Sequence, residues 1–167
     1  MYPIRTPSDG YAVYIHVPFC NRRCHYCDFY LRTDPERKLP GYYPAINAEI
    51  ALYGIGSDAV AKNSSHPFAE VFQTGMPSSL FIGGGTPSLL NPERVADWIT
   101  FWRTRGLPES AEVTLEANPE DRARYRAYAA AGINRLSIGC QSFHDDELQQ
   151  LGRTHTRNDI EAAFLSA

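Results

Sequence analysis

Cys20, Cys24 and Cys27 form a C-x3-C-x2-C run within eight residues. Thiolates are soft donors, and three on one tight loop can each take a different iron of a cubane [4Fe-4S] cluster, leaving the fourth iron without a protein ligand. The same thiols admit a structural zinc site with His25 or His16 as fourth ligand, although zinc sites more usually show a second ligand pair downstream. The one further thiol, Cys140, stands far along the chain after an apolar stretch and reads as buried and inert. Four cysteines so unevenly spread do not make a disulfide framework, and thiols held for metal suit a reducing compartment.

Other residues could serve a ligand beside such a loop. Gly83, Gly84 and Gly85 run into Thr86, and a backbone without side chains can approach a ligand closely. The same run also fits a tight turn before a helix. Glu116 follows Val113 and Leu115 at a strand end, where a carboxylate can accept hydrogen bonds from ribose hydroxyls or an ammonium. Gln141 lies just beyond a strand, and the Arg153 fork suits a carboxylate. Tyr14 and Tyr26 read equally as core aromatics, and by the period of two Tyr14 shares a strand face with His16.

These groups need elements to carry them. YAVYIHV (11–17) reads as a buried strand that runs into the cysteine loop, and helical spacing follows over 42–54, with Gly54 as its stop. Residues 55–77 read as a long loop with one helical turn. A second strand over 79–83 leads to a helix over 91–106, with Asn91 as N-cap, Pro92 at the first position and Gly106 as stop. A strand over 111–117, a helix over 119–132, a strand over 133–139, a short helix over 144–150 and a helix from 157 complete the pattern.

Four strand-then-helix units in succession call for parallel strands with right-handed crossovers. Both a doubly wound sheet and part of a (β/α) barrel satisfy this. The chemical motifs follow the strands in turn, as they do at the C-terminal rim of a barrel, which favours the α/β fold of a partial TIM-like barrel. A closed barrel takes roughly 250 residues, so four units imply open, self-associating sheet edges.

The 167 residues carry a net charge of −3, with 43% apolar and 21% charged residues. This is an ordinary globular composition with no general pull toward nucleic acid or an anionic membrane. No run is long enough to span a bilayer as a helix, and MYPIRTPSDG lacks a secretory apolar stretch. The expected location is cytoplasmic.

Five blocks, YIHVPFCNRRCHYCDF (14–29), FIGGGTPSLL (81–90), LEANPE (115–120), INRLSIGCQSF (133–143) and LGRTH (151–155), resemble the radical S-adenosylmethionine (SAM) family in order and content. The branch resembled contains oxygen-independent coproporphyrinogen III oxidase and heme chaperones. The resemblance implies a [4Fe-4S] cluster on Cys20, Cys24 and Cys27, with SAM on its open iron and cleaved to a 5′-deoxyadenosyl radical. It further implies SAM contacts from Tyr14, Tyr26, Gly84, Gly85, Thr86, Glu116, Gln141 and Arg153.

The oxidases of the branch usually carry a fourth cysteine where this chain has Phe29. The resemblance therefore favours a heme chaperone that binds heme and passes it to acceptor proteins. Oxidative decarboxylation of coproporphyrinogen and a structural zinc module are the alternatives. It also implies that residues 1–167 are the N-terminal part of a radical SAM core, with the family's later strands and C-terminal domain absent after Ala167.

Overall fold

A computed structural model describes residues 10–53, 71–72 and 75–167. Strand β1 (Tyr11–Val17), helix α1 (Pro35–Leu52), strand β2 (Pro77–Gly84) and helix α2 (Pro92–Arg103) form the first two units. Strand β3 (Val113–Ala117), helix α3 (Tyr125–Ala131), strand β4 (Arg135–Ile138) and helices α4 (Asp145–Gln150) and α5 (Arg157–Ser166) follow. Short 3-10 turns precede α2 (Pro87–Leu89) and α3 (Pro119–Arg124). The expected helix stop at Gly54 and most of the expected loop over 55–77 lie outside the described residues.

The four strands are all parallel and adjacent in the order β1-β2-β3-β4. Right-handed crossovers without a reversal of strand order place successive helices on one face, as in a barrel wall; a doubly wound sheet would reverse. β1 and β4 are the edges of this described sheet. No described helix is long and apolar enough to cross a membrane.

One face of the sheet makes the core. Val13, Ile15 and Val17 of β1 are buried and register with Leu80, Ile82 and Gly84 of β2. Val113 and Leu115 of β3 continue the layer beneath Val95, Trp98, Ile99 and Trp102 of α2 and Tyr128 of α3. Burying each such side chain fully contributes roughly 1.5–3 kcal/mol.

The other face carries Tyr14, His16, Phe81, Gly83, Thr114, Glu116, Arg135 and Ser137, matched by register across the four strands. β1 is therefore buried on one face only, with Tyr14 and His16 exposed, where the sequence reading has it buried throughout. The β-branched run hides a strict alternation because Tyr and Ala stand at its outward positions.

Helix α2 follows expectation at its start: Pro92 opens it and Asn91 Oδ1 accepts the Glu93 backbone N–H at 2.8 Å. It ends at Arg103, three residues before Gly106. The single helix expected over 119–132 is instead a 3-10 segment followed by α3, which ends at left-handed Gly132.

Helix α1 begins at Pro35, well before the expected 42, and runs through Pro40 and Pro44. Each proline removes one helical donor. Both lie on the exposed side, while Leu39, Tyr42, Tyr43, Ile46 and Ile50 pack on the core. Tertiary packing outweighs the proline penalty there.

Candidate functional site

The cysteine loop leaves β1 at Pro18 and is closed at its base by backbone bonds. Arg32 N–H donates to the Pro18 carbonyl at 2.6 Å, and Cys20 N–H donates to the Arg32 carbonyl at 3.0 Å. Within it, Cys27 N–H donates to the Cys24 carbonyl at 3.2 Å, closing a turn between the last two cysteines. The loop's far side is held by residues much later in sequence. His25 N–H donates to the Leu151 carbonyl at 3.3 Å, and its Nδ1 lies 3.1 Å from the Gln150 carbonyl.

The glycine run sits directly against this loop. Gly85 N–H donates to the Val17 carbonyl and Thr86 N–H to the Phe19 carbonyl, both at 2.7 Å. A Cβ on Gly85 would meet the Phe19 carbonyl oxygen at 2.6 Å and Cys20 Sγ at 2.9 Å, so glycine is needed for the approach. Thr86, itself buried, donates its hydroxyl to Cys20 Sγ at 3.4 Å. Burial pushes the Cys20 thiol up, and the Thr86 hydroxyl partly offsets this.

The ends of β3 and β4 complete the wall. Glu116 Oε2 accepts the Gly84 backbone N–H at 2.8 Å. Gln141 stands at φ +66°, the one non-glycine residue with positive φ among those described. That is a conformation a side-chain-bearing residue holds only where its surroundings enforce it. Arg153 donates to Asn118 Oδ1 at 2.7 Å, to the Gly139 carbonyl at 3.0 Å and to Cys24 Sγ at 3.7 Å. Its Nε is buried without a hydrogen-bond partner among the described residues. Burial raises the Tyr26 phenol, against the pull of the neighbouring Arg153.

These pieces enclose a cleft of about 730 Å³ whose lining includes Cys20, Cys24, Cys27, Tyr26, Gly84, Gly85, Thr86, Glu116, Gln141 and Arg153. That volume lies within the range of small-molecule sites. Of the residues that the resemblance assigns to the cluster or to SAM, Tyr14 alone is not on its wall. It is 57% exposed on the helix-free face, its hydroxyl 3.0 Å from His16 Nδ1.

Cys140 differs from its reading as buried and inert. β4 ends two residues earlier, at Ile138, so the thiol stands on the exit loop, half-buried and lining the cleft. Burial raises it toward the protonated form. Sequence reasoning also passed over Asn118, Glu120 and Asp121, which line the same wall. The available signal was LEANPE itself, since residues just past a barrel strand face the rim.

The donor set suits a polynuclear sulfur-ligated group. Two of the thiols receive side-chain hydrogen bonds, Cys20 from Thr86 and Cys24 from Arg153. Among the described residues no three His, Cys, Asp or Glu side chains converge as ligands of a single ion. His16 and His25, the candidates for a fourth zinc ligand, are turned to Tyr14 and the Gln150 carbonyl.

Fold and cleft together define a class: a parallel β/α barrel wall in which three cysteines of one strand-end loop line a cleft of small-molecule size. The sequence profile of the Radical SAM superfamily matches residues 68–167, and the chain belongs to that superfamily. The bovine protein "Radical S-adenosyl methionine domain-containing protein 1, mitochondrial" is 40% identical over 157 residues, covering 91% of this chain and 32% of that one. The Haemophilus influenzae "Heme chaperone HemW" is 36% identical over 155 residues, covering 91% of this chain and 38% of its own. The Bacillus subtilis "Heme chaperone HemW" is 34% identical over 162 residues, covering 93% and 38%.

Among solved structures, the Escherichia coli coproporphyrinogen III oxidase HemN, described as a radical SAM enzyme, superposes with a TM-score of 0.73 at 24% identity. The match covers 98% of this chain and 35% of HemN, and it establishes the shared fold. The chain thus spans about a third of the length of the relatives it matches. The profile match begins downstream of the cysteine loop, whereas alignments covering 91% of the chain take the loop in.

Proposed function

We propose that Cys20, Cys24 and Cys27 hold a [4Fe-4S] cluster, that SAM occupies the adjoining cleft, and that the chain is the N-terminal part of the radical SAM core of a HemW-type heme chaperone. The observation that carries the reading is convergence. Residues from the exits of all four strands, together with Arg153, meet the thiol loop around one cleft of about 730 Å³.

In this reading Gly84, Gly85 and Thr86 receive the amino-acid part of SAM, and Arg153 faces its carboxylate. Glu116 accepts from hydroxyl or ammonium donors, Gln141 contacts the nucleoside side, and Tyr26 packs on the ligand. The cluster, when bound, supplies a single electron to the SAM sulfonium. The chain itself supplies placement and exclusion of water.

The chaperone role draws on Phe29, which lines the cleft where related oxidases carry a further cysteine, and on the names of the bacterial relatives. Heme is then cargo, passed to acceptor proteins in a reducing, cytoplasmic setting.

Anaerobic reconstitution with iron and sulfide tests the cofactor claim. About four irons and four sulfides per chain are expected, with charge-transfer absorption, and an EPR signal after reduction. One tightly held zinc without cluster signals would overturn it. For the chaperone claim, a chain extended to the length of the relatives is incubated with SAM and reductant, with heme or with coproporphyrinogen III. Stoichiometric heme binding is expected; decarboxylated porphyrinogen would sink the assignment.

A further inference from the structure

Segment 153–155 crosses the barrel rim beside the exit loops of β3 and β4 and ties them together twice. Arg153 joins the Asn118 side chain to the Gly139 carbonyl. Two residues on, His155 repeats the bridge two positions further along the β3 loop and one further along the β4 loop. Its Nε2 lies 3.0 Å from the Cys140 carbonyl, and its Nδ1 lies 3.3 Å from Glu120 Oε2. Thr154 adds a hydroxyl bond to Glu120 Oε1 at 2.5 Å.

His155 is 2% exposed and does not line the cleft. The Nδ1 contact has the distance of an ion pair without the alignment of a hydrogen bond. Glu120, whose carboxyl burial alone would raise, is held down to about 2 by the adjoining His155 ring and the Thr154 hydroxyl, and is therefore ionised at neutral pH. Each ring nitrogen thus faces an acceptor, a carbonyl on one side and a carboxylate on the other.

The carbonyl it holds is a particular one. Cys140 O also accepts the Ser142 backbone N–H at 3.0 Å, closing a three-residue turn around Gln141 at φ +66°. A turn of this hand is rare and strained. Left-handed backbone at a side-chain-bearing residue persists only when neighbouring structure over-determines it. His155 supplies that constraint from outside the turn, and the turn sets where Gln141 meets the cleft wall.

We propose that His155 is a positioning residue of the cleft: clamping the Cys140 carbonyl toward Glu120 fixes the strained turn that presents Gln141 to the ligand. The inference rests on the reading of the cleft as a SAM site. A histidine that only fills core volume would stabilise the fold without acting through Gln141.

The test is a double-mutant cycle on SAM affinity in the reconstituted protein, with cluster content measured separately. Gln141→Ala and His155→Ala are each expected to weaken SAM binding about tenfold, with the double variant no weaker than Gln141→Ala alone. His155→Gln, whose amide can donate to the same carbonyl, is expected to recover most of the loss. Wild-type affinity in His155→Ala beside a weakened Gln141→Ala, or losses that multiply in the double variant, would overturn the proposal.

Because the alanine variant can lose its fold, the ring is also read in the wild type by ¹⁵N NMR. A hydrogen on Nε2 is expected, with a coupling across the hydrogen bond to the Cys140 carbonyl. A ring that carries no hydrogen on Nε2, or shows no such coupling, would overturn the clamp. If wild type takes up a cluster but no SAM, the cofactor reading fails by itself, and the NMR measurement still decides whether His155 holds Cys140.

Discussion

Gly84 donates its backbone N–H to Oε2 of Glu116 at 2.8 Å, so the exits of two neighbouring strands share one part-buried bond at the cleft wall. A carboxylate can accept more than one donor, so the bond orients Glu116 without exhausting it. Glu116→Ala leaves the Gly84 N–H without this partner and is expected to cost about 1–3 kcal/mol in urea denaturation. Glu116→Gln, which retains a carbonyl acceptor, is expected to stay within about 1 kcal/mol of wild type while still weakening SAM binding.

The two glycines at the loop are expected to fail differently. Gly84 stands at φ +120°, and a Cβ there would lie 2.8 Å from the His16 ring and from the Val17 carbonyl oxygen. Gly84→Ala is therefore expected to lose about 1–3 kcal/mol of stability, read as a lowered Tm. Gly85→Ala presses on Cys20 instead, and the expected signature is reduced iron and sulfide uptake on reconstitution. Wild-type uptake in that variant would show that the loop yields.

Tyr128 is fully buried, and its hydroxyl lies 2.8 Å from the Ser88 carbonyl and 2.7 Å from the Leu90 carbonyl. Arg124 donates to the same two carbonyls. Tyr128→Phe keeps the ring and deletes the hydroxyl, an expected loss of about 1–2 kcal/mol. Calorimetry should show a Tm drop of roughly 2–4 °C per kcal/mol.

Acid stability carries a signature of Glu120. Its carboxyl falls from the ordinary 4.5 to about 2 in the folded chain, so between those values the unfolded chain binds a proton that the folded chain does not. The contribution is present above pH 4.5 and is lost as pH falls through about 2. Asp121, which burial pushes up, acts in the opposite sense, since the folded chain takes up its proton first. Glu120→Gln removes the first component, so its stability should fall less steeply than that of wild type between pH 4.5 and 2. Parallel curves from chemical denaturation would contradict this.

Much of the scaffold was legible because local chemistry and tertiary structure agree. The bounds of β1, the Asn91 cap, and the placement of Gly84, Gly85 and Glu116 at strand exits follow from period and turn residues alone. What escaped depends on contacts distant in sequence. The start of α1 at Pro35 escaped because the core contacts that carry the helix through Pro40 lie on other elements. Cys140 read as buried because the end of β4 at Ile138 is set by pairing with β3. Nothing in LGRTH singles out His155, and only the meeting of three loops shows what it holds.

The bonds from His25 to Gln150 and Leu151 set an order on how the molecule is made. Synthesis runs from the N-terminus, so the thiols leave the ribosome before the residues that brace their loop. The carbonyls that brace their loop come 125 residues later in the chain for Gln150. Until then Cys20, Cys24 and Cys27 sit on a loop fastened only at its base, the earliest part of the site to be made and the last to be enclosed. A nascent chain therefore offers its thiols to iron donors, and to oxidants, before the rest of the site exists.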